Sequence, residues 1–344
     1  MTDKDNIGDI QWLRPASSGR EDIFSRLWLP DCMAVTANEP DTAAVDAASG
    51  SEPGAAALKP RAVIQIAHGM AEHSARYDEF ARFLTGNGFI VCMNDHAGHG
   101  PHAGTLGYFA DADGPDHVTE DIHSLFDAVC SGDSMFPPVS HSLPKFLLGH
   151  SMGSFISRKY LTRYGDELAG CILSGTMGIN PALAFGKALA RLQVKVKGPK
   201  SAGRLLTVIA FGSYNKRIKN PVNRNAWLST ADDVCEVYED DPYCGFPFTA
   251  LGFVDLFTIM QEISAPGWAA SVPKELPVYI FSGGEDPVGA YGKGPAEVYD
   301  RLQKTGHRDL TLKIYPAGRH EMLNETNNAE VYDDVLTWVN DRLG

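Results

Sequence analysis

A serine stands between two glycines directly after an apolar run, in "KFLLGHSMGSF", Lys145 to Phe155. The residues Gly149 to Gly153 fit the pattern G-x-S-x-G, and the sequence after them has the pattern of a helix. In such a strand-turn-helix the serine side chain projects from a strained turn, and flanking glycines leave room for neighbouring backbone. The context therefore favours Ser151 as a nucleophile over the alternative, a Gly-Ser turn without chemistry.

A nucleophilic serine needs a general base and an acid that orients the base. "YIFSGGEDPVG" places Asp286 after one apolar run, and "LKIYPAGRHEML" places His320 after the next. Loops at the carboxyl ends of parallel strands form the ligand sites of such sheets, so we expect Ser151, Asp286 and His320 to form a catalytic triad there. Three alternatives remain open: Glu285 is the acid, Asp286 only starts a turn before Pro287, or His320 is a surface histidine.

Two backbone N–H groups are expected to stabilise the oxyanion of the reaction. Met152 follows the nucleophile at a helix N-terminus, where the helix dipole also favours negative charge. The second donor should come from the loop after an early strand, and "IAHGMAEH" places Gly69 and Met70 in such a loop. We predict that Gly69 lets the backbone approach the substrate and that Met70 donates; Gly69 could also simply form a turn.

A metal site is the rival interpretation of "NDHAGHGPHAG", in which His96, His99 and His102 recur every three residues. The run is too rich in glycine for a helix face, and no cysteine or carboxylate cluster completes a coordination sphere. We therefore predict no metal there, but a hydrogen-bonded loop that supports the site. The six cysteines lie far apart without a C-x-x-C pair, which indicates buried thiols rather than a zinc knuckle or a disulfide framework.

The elements that position these residues alternate along the chain as short apolar runs and helical stretches. Near-continuous apolar strands separated by helices are typical of a mostly parallel sheet covered on both faces, so the predicted fold class is α/β. The runs begin at Asp22, Ala62, Phe89, Lys145, Gly170, Pro277 and Leu310. The segment 37–60, rich in Ala, Asp, Gly, Ser and Pro, is predicted to be a flexible insertion.

About a hundred residues separate the runs at Gly170 and Pro277, far more than one connection needs. We predict a helical cap over 179–256, with 1–178 and 257–344 forming the core. Among its apolar and aromatic residues, Phe185 and Phe211 could line an acyl-chain tunnel, whereas Tyr238 and Phe246 could frame an aromatic acyl group. The alternative is that these side chains form the core of the cap itself.

The charge of the chain excludes one class of partner. A formal net charge of −13 argues against nucleic acid, because binding to phosphates requires Lys and Arg to neutralise them. The N-terminus lacks the apolar core of a signal peptide, and no run approaches the roughly 18 apolar residues of a membrane span. We therefore expect a cytoplasmic protein, with at most transient contact with a lipid interface through cap lysines. The sequence does not fix the oligomeric state.

Five blocks together resemble a known family: "HGMAEHSARYDEFARFL", "NDHAGHG", "LLGHSMGS", "GGEDPVG" and "GRHEMLNE". In this order they are similar to the signature blocks of the α/β hydrolases that include monoacylglycerol lipases and bacterial lysophospholipase-like esterases. The resemblance implies an eight-stranded sheet, a helical cap inserted after the sixth strand, no cofactor, and the triad and oxyanion roles given above. Pro101-His102 stands where the family usually has Ser or Thr, and the insertion at 37–60 is absent from the pattern.

The expected activity is hydrolysis of a small acyl ester, such as a monoacylglycerol or lysophospholipid, through an acyl-enzyme on Ser151. An aryl-ester esterase of the feruloyl type is the alternative. An amidase or proline-type peptidase is a weaker one, which the acidic cap residues Glu236, Glu239, Asp240 and Asp241 keep open because such an enzyme must hold a substrate amine. A non-catalytic binding protein usually lacks a triad residue, and this chain has all three.

Overall fold

The computed structural model describes residues 9–14, 22–30, 33, 60–131 and 142–343. All of the predicted insertion except Pro60 lies outside the described residues. Within them, eight strands form one sheet in the order β1-β2-β4-β3-β5-β6-β7-β8. The strands are β1 (Ile10–Arg14), β2 (Ile23–Trp28), β3 (Val63–Ala67), β4 (Ile90–Asn94), β5 (Lys145–His150), β6 (Gly170–Ser174), β7 (Val278–Gly283) and β8 (Leu310–Tyr315).

The strand pairing confirms the predicted mostly parallel sheet. The six strands from β3 to β8 pair in parallel, whereas β2 pairs antiparallel with both β1 and β4. Every residue of β3, β4, β6 and β7 is buried, because helices cover both faces of these aliphatic strands. Strand β1 was not predicted, since "IQWLR" is short and half polar.

Helices pack on both faces of the sheet. They are α1 (Asp78–Gly86), α2 (Gly114–Ser131), α3 (Met152–Tyr164), α4 (Leu183–Lys197), α5 (Arg204–Phe211), α6 (Asp232–Asp240), α7 (Ala250–Ser264), α8 (Lys293–Lys304) and α9 (Asn328–Asn340). One apolar cluster joins α2, α3, α7 and α8 to the sheet, and the second joins α1 and α9 to its other face. In α1, for example, Phe80, Ala81 and Leu84 recur at helical spacing and are buried.

The cap lies between β6 and β7 and contains helices α4 to α7. Helix α7 packs against α4 of the cap and also against α3 and α2 of the core. Its buried residues Phe253, Leu256 and Ile259 belong to the core cluster. The predicted boundary between 256 and 257 therefore falls inside a helix, because the apolar face of α7 serves cap and core together.

The described cysteines are buried, as predicted: Cys92, Cys130, Cys171, Cys235 and Cys244. In the described part of the chain, none of the helices has the length and apolar character needed to cross a membrane.

Candidate active site

Ser151 occupies the turn between β5, which ends at His150, and α3, which begins at Met152. Its φ of 52° and ψ of −119° are a strained conformation for a residue with a side chain. The turn stays attached to the sheet because the Ser151 N–H donates to the carbonyl oxygen of Ser174 at 2.9 Å. The side chain consequently lies at the carboxyl end of the sheet, where it lines a cavity.

The glycines of the G-x-S-x-G pattern are required by packing. A Cβ atom on Gly153 would lie 2.0 Å from the carbonyl oxygen of Ala67 in β3. A Cβ atom on Gly149 would lie 2.3 Å from Oγ of Ser157 in α3. Since real contacts are never this short, only glycine lets the N-terminus of α3 pack directly on the sheet.

His320 and Asp286 form a buried pair. Nδ1 of His320 lies 3.0 Å from Oδ1 of Asp286, and the two residues are 1% and 0% exposed. Asp286 also accepts hydrogen bonds from the Val288 N–H at 2.8 Å and the Ser282 hydroxyl at 2.9 Å. These bonds fix the carboxylate, so Nδ1–H of His320 donates to it and Nε2 is left as a proton acceptor. Glu285, the alternative acid, has an exposed side chain.

The pKa of His320 lies above its usual value. Burial lowers this pKa, but the charge of Asp286 and its hydrogen bond to the ring raise it by more. The neighbouring ring of His150, 4.7 Å away between centroids, has no such carboxylate partner. Burial and the charge of His320 lower the pKa of His150 to about 3. The pair thus makes His320 the more basic ring.

The cavity beside these residues has a volume of about 370 Å³. Its walls include these sequence-predicted residues: Ser151, His320, Gly69, Met70, Phe211, Tyr238 and Phe246. Asp286 and Met152 are buried and do not line the cavity. Phe185 lies outside this cavity and is 70% exposed on α4, so the structure does not place it with the other predicted residues. Helical spacing showed which residues share a face of α4, but not that this face points to solvent.

The loop that follows β3 lies against Ser151. A Cβ atom on Gly69 would be 2.6 Å from Oε1 of Glu72 and 3.2 Å from Cβ of Ser151, so glycine allows this close approach. The Gly69 N–H donates to Oε1 of Glu72 at 2.5 Å. In the described chain, the N–H groups of Met70 and Met152 have no hydrogen-bond acceptor. Both are therefore available to an oxyanion on a substrate bound at Ser151.

A buried ion network that was not predicted joins this loop to the loop of His320. Arg76 donates to Glu72 at 2.5 Å and to both carboxylate oxygens of Glu321 at 2.8 and 2.7 Å. Burial raises the pKa of Glu321, but Arg76 outweighs this effect and lowers it to about 2. For Glu72, burial and the charge of Glu321 outweigh Arg76 and raise the pKa. Because Glu321 follows His320, Arg76 connects the loop of His320 to the loop after β3, which carries Gly69 and Met70 and is called the oxyanion loop below for the role predicted for Met70.

The cap contacts the same loop. The Tyr238 hydroxyl donates to the carbonyl oxygen of Ala71 at 2.8 Å, and the Gly245 N–H donates to the same oxygen at 2.9 Å. The Arg76 guanidinium lies 4.8 Å from the centroid of the Tyr238 ring, within range of a cation–π interaction. Another cap residue missed in the sequence, Trp227, packs its ring 5.1 Å from that of His320.

The three histidines considered as metal ligands, His96, His99 and His102, do not converge on one point. The His96 N–H donates to Nε2 of His68 at 2.9 Å, and Nδ1 of His68 donates to the Gly69 carbonyl at 2.8 Å. Burial lowers the pKa of His96 to about 3 and that of His99 to about 4. His102 instead stacks on Phe24 at 4.3 Å. The neutral rings of His68 and His96 thus hold the Gly69 loop in place.

The fold and the geometry of this site define an α/β hydrolase. The model of the serine aminopeptidase, S33 family matches residues 58–327, and the chain belongs to this family. A monoacylglycerol lipase of Mycolicibacterium smegmatis is 29% identical over 81% of this chain and 88% of its own length. The phospholipase YtpA of Bacillus subtilis is 29% identical over 80% of this chain and 93% of its own length.

A solved structure supports the same class. The thermostable carboxyl esterase of Bacillus coagulans, in complex with glycerol, superposes with a TM-score of 0.83 and 28% identity. The match covers 97% of this chain and 99% of the esterase. The chain is therefore a hydrolase related to monoacylglycerol lipases and carboxylesterases, as the five sequence blocks predicted.

Replacing Arg76 by Met should lower the free energy of unfolding by about 3 to 5 kcal/mol, because Glu72 and Glu321 would remain buried without a cation. Urea denaturation at pH 7 measures this change. Arg82→Met is the matched control: its ion pairs with Asp9 and Asp78 are half exposed, so its loss should cost less than about 1 kcal/mol. Equal effects of the two substitutions would contradict a structural role for the buried network.

Proposed function

We propose that this protein is a serine carboxylic ester hydrolase that acts through an acyl-enzyme. Ser151 Oγ attacks the ester carbonyl carbon while Nε2 of His320 takes the hydroxyl proton, and Asp286 stabilises the imidazolium. The N–H groups of Met70 and Met152 stabilise the oxyanion. The observation that carries the proposal is that a strained serine and a buried, carboxylate-bound histidine line one cavity.

The second half of the reaction uses the same groups. Collapse of the tetrahedral intermediate breaks the bond to the alcohol, which takes the proton from Nε2 of His320 and leaves the acyl group on Ser151. Water then gives a proton to Nε2 and attacks the acyl carbon. The second collapse returns that proton to Ser151 Oγ and releases the carboxylic acid. Two N–H donors and one histidine therefore serve both steps.

The substrate is proposed to be a small acyl ester of a polar alcohol, such as a monoacylglycerol or a lysophospholipid. The cavity combines apolar walls, including Val208, Phe211 and Leu228, with polar groups suited to hydroxyls. Among the latter, Oδ1 of Asn215 is buried and has no partner in the described chain. The named relatives include a monoacylglycerol lipase and a phospholipase, and the related esterase was solved with glycerol.

The carboxylates of the site favour an ester over a peptide substrate. An aminopeptidase needs an acidic group to bind the amine of its substrate. Glu72 and Glu321 are the carboxylates in the described cavity wall, and both bind Arg76. Among the acidic cap residues, Glu239 pairs with Arg224 at 3.0 Å and Asp241 with His73 at 3.1 Å. These pairs leave no obvious partner for a substrate amine along the described wall.

The outer face of the cap supports transient contact with lipid aggregates. Apolar side chains of α4 and α5 are exposed rather than packed in the cap: Phe185, Leu192, Val196, Leu205, Val208 and Ile209. In α4, Phe185, Leu192 and Val196 recur at i, i+7 and i+11 and share one face. Lys195, Lys197 and Lys200 are exposed beside them and would favour an anionic surface.

Ser151→Ala should abolish labelling by a fluorophosphonate and lower kcat by at least ~10⁴-fold, because the nucleophile is lost. Hydrolysis is measured on p-nitrophenyl esters from acetate to palmitate, methyl ferulate, a monoacylglycerol and a matched anilide. We expect the highest kcat/KM for medium or long acyl chains and for the monoacylglycerol. Ser271→Ala, at an exposed serine, should behave as wild type.

The outcomes of this series distinguish the candidates. A preference for methyl ferulate would favour the aryl-ester alternative and leave the triad intact. Faster turnover of the anilide than of its ester would contradict ester hydrolysis. Full labelling of Ser151→Ala would overturn the assignment of the nucleophile.

The rate should fall on the acid side as His320 gains a proton, because the protonated ring cannot accept the Ser151 proton. Since Asp286 raises the pKa of His320, Asp286→Asn should move this acid limb to lower pH. It should also lower kcat by ~10³- to 10⁴-fold, because the ring loses its orientation. Glu285→Gln, at the exposed neighbour, should leave the acid limb and kcat unchanged. If Glu285→Gln instead shifts the limb and lowers kcat while Asp286→Asn does not, Glu285 is the acid.

Phe185→Ser combined with Val196→Ser should weaken binding to anionic lipid vesicles by about tenfold or more, because two apolar side chains are lost from the exposed face. Turnover of soluble p-nitrophenyl butyrate should stay within twofold. Val237→Ser is the control, since Val237 is 62% exposed but lies on the acidic helix α6. Unchanged vesicle binding in the double variant would exclude this face as the interface.

A further inference from the structure

Three side chains with metal-ligand chemistry meet beside the active site: His73, Asp241 and Cys244. One ring nitrogen, one carboxylate oxygen and the Sγ atom lie within 4.8 Å of one another. Nε2 of His73 is 3.1 Å from Oδ2 of Asp241. His73 and Cys244 are more than nine-tenths buried. None of the three lines the substrate cavity, so the cluster is separate from the site already described.

The two sides of this cluster come from different parts of the molecule. His73 follows the oxyanion loop of the core, whereas Asp241 and Cys244 lie just after cap helix α6. The Gly245 N–H, next to Cys244, already donates to the Ala71 carbonyl at 2.9 Å. A group bound by all three side chains would therefore link the cap to the oxyanion loop.

The surrounding charges and unpaired atoms favour a cation at this position. The charged groups that act on the Cys244 thiol are three carboxylates, those of Asp241, Glu72 and Glu321, and one guanidinium, that of Arg76. Since Arg76 binds both Glu72 and Glu321, the carboxylate of the cluster itself is Asp241, and a divalent cation would offset its charge together with that of a Cys244 thiolate. In addition, Nδ1 of His73 is buried and has no hydrogen-bond partner in the described chain, whereas Nε2 faces Asp241. The fold therefore leaves one nitrogen of this ring without a partner.

A second cluster of suitable residue types lacks these properties. His123, Asp127 and Glu167 also lie within ligand distance of one another, but both carboxylates are exposed. Glu167 is paired with Lys145 at 3.5 Å, so a positive charge already occupies its surroundings. This second cluster also lacks a cysteine, whose thiolate is the ligand type that zinc and related ions prefer. This cluster provides an internal control.

We propose that His73, Asp241 and Cys244 bind a thiophilic divalent cation such as Zn²⁺, with water in the fourth position. Structural zinc sites usually have four protein ligands, whereas three protein ligands with a bound water leave one position open to exchange with solvent. Binding converts the Cys244 thiol into a thiolate and releases its proton to solvent, so the affinity increases with pH. The cation joins the cap loop to the core beside Ala71 and stabilises this contact between cap and core.

Titration of the full chain with Zn²⁺ by calorimetry, and with Co²⁺ by absorption spectroscopy, tests this proposal. We expect one cation per chain, a cobalt–thiolate charge-transfer band, and an increase in Tm at saturating Zn²⁺. Cys244→Ser should remove the band and weaken Zn²⁺ binding by at least ~10-fold. Asp241→Asn should weaken binding similarly. His123→Gln should bind as wild type does.

Two results would overturn the proposal: no saturable binding of Zn²⁺ to the wild type, or equal binding by wild type and Cys244→Ser. Loss of binding in His123→Gln alone would move the site to the second cluster. Turnover of p-nitrophenyl butyrate checks that each variant is folded. If Cys244→Ser does not fold, Asp241→Asn decides the question, since unchanged affinity and an unchanged cobalt spectrum would exclude the site.

Discussion

The position of Arg76 between Glu72 and Glu321 is the interaction on which the site depends. One carboxylate holds the Gly69 N–H and thereby the oxyanion loop; the other follows His320 directly in sequence. These loops leave different strands of the sheet, so strand pairing alone does not fix their separation to the accuracy that proton transfer needs. A bidentate guanidinium does, because its planar donors match a carboxylate in one geometry. The two acids would otherwise repel each other in a buried environment.

The cap depends on the same residues. The ring of Tyr238 lies on the Arg76 guanidinium while its hydroxyl binds the Ala71 carbonyl, so the base of the cap rests on the ion network. In the loop of His320, the preceding residue Arg319 donates at 2.7 Å to the carbonyl oxygens of Ala226 and Ser229 in the cap. A movement of the cap would thus be transmitted to both the oxyanion loop and the loop of His320. The cap therefore helps to hold the two loops of the site in position, in addition to covering the cavity.

Much of this arrangement was predictable because each element has a local signature. Strands β2 to β8 are short apolar runs, and Ser151, Asp286 and His320 each follow the end of one, so a parallel sheet brings them to one edge. The Glu72–Arg76 pair could not be recognised, since i,i+4 spacing of opposite charges is typical of an exposed helix face. Its burial depends on Glu321, which is 245 residues from Arg76 along the chain. The position of Phe185 outside the cavity was not predictable for the related reason that helical periodicity does not distinguish a solvent-facing stripe from a cavity wall.

The histidines around the site show how one contact separates the proposed base from other buried histidines. His68, His96, His99 and His150 are buried, and in each of them burial is the largest effect and lowers the pKa. His320 is buried equally and undergoes the same penalty, yet its pKa is raised. The difference is the 3.0 Å contact with Asp286, whose charge favours the imidazolium that forms during attack. Histidine content and burial therefore do not identify the proposed base in this chain. The contact with Asp286 at the cavity of Ser151 does, and it is set by the adjacency of β7 and β8.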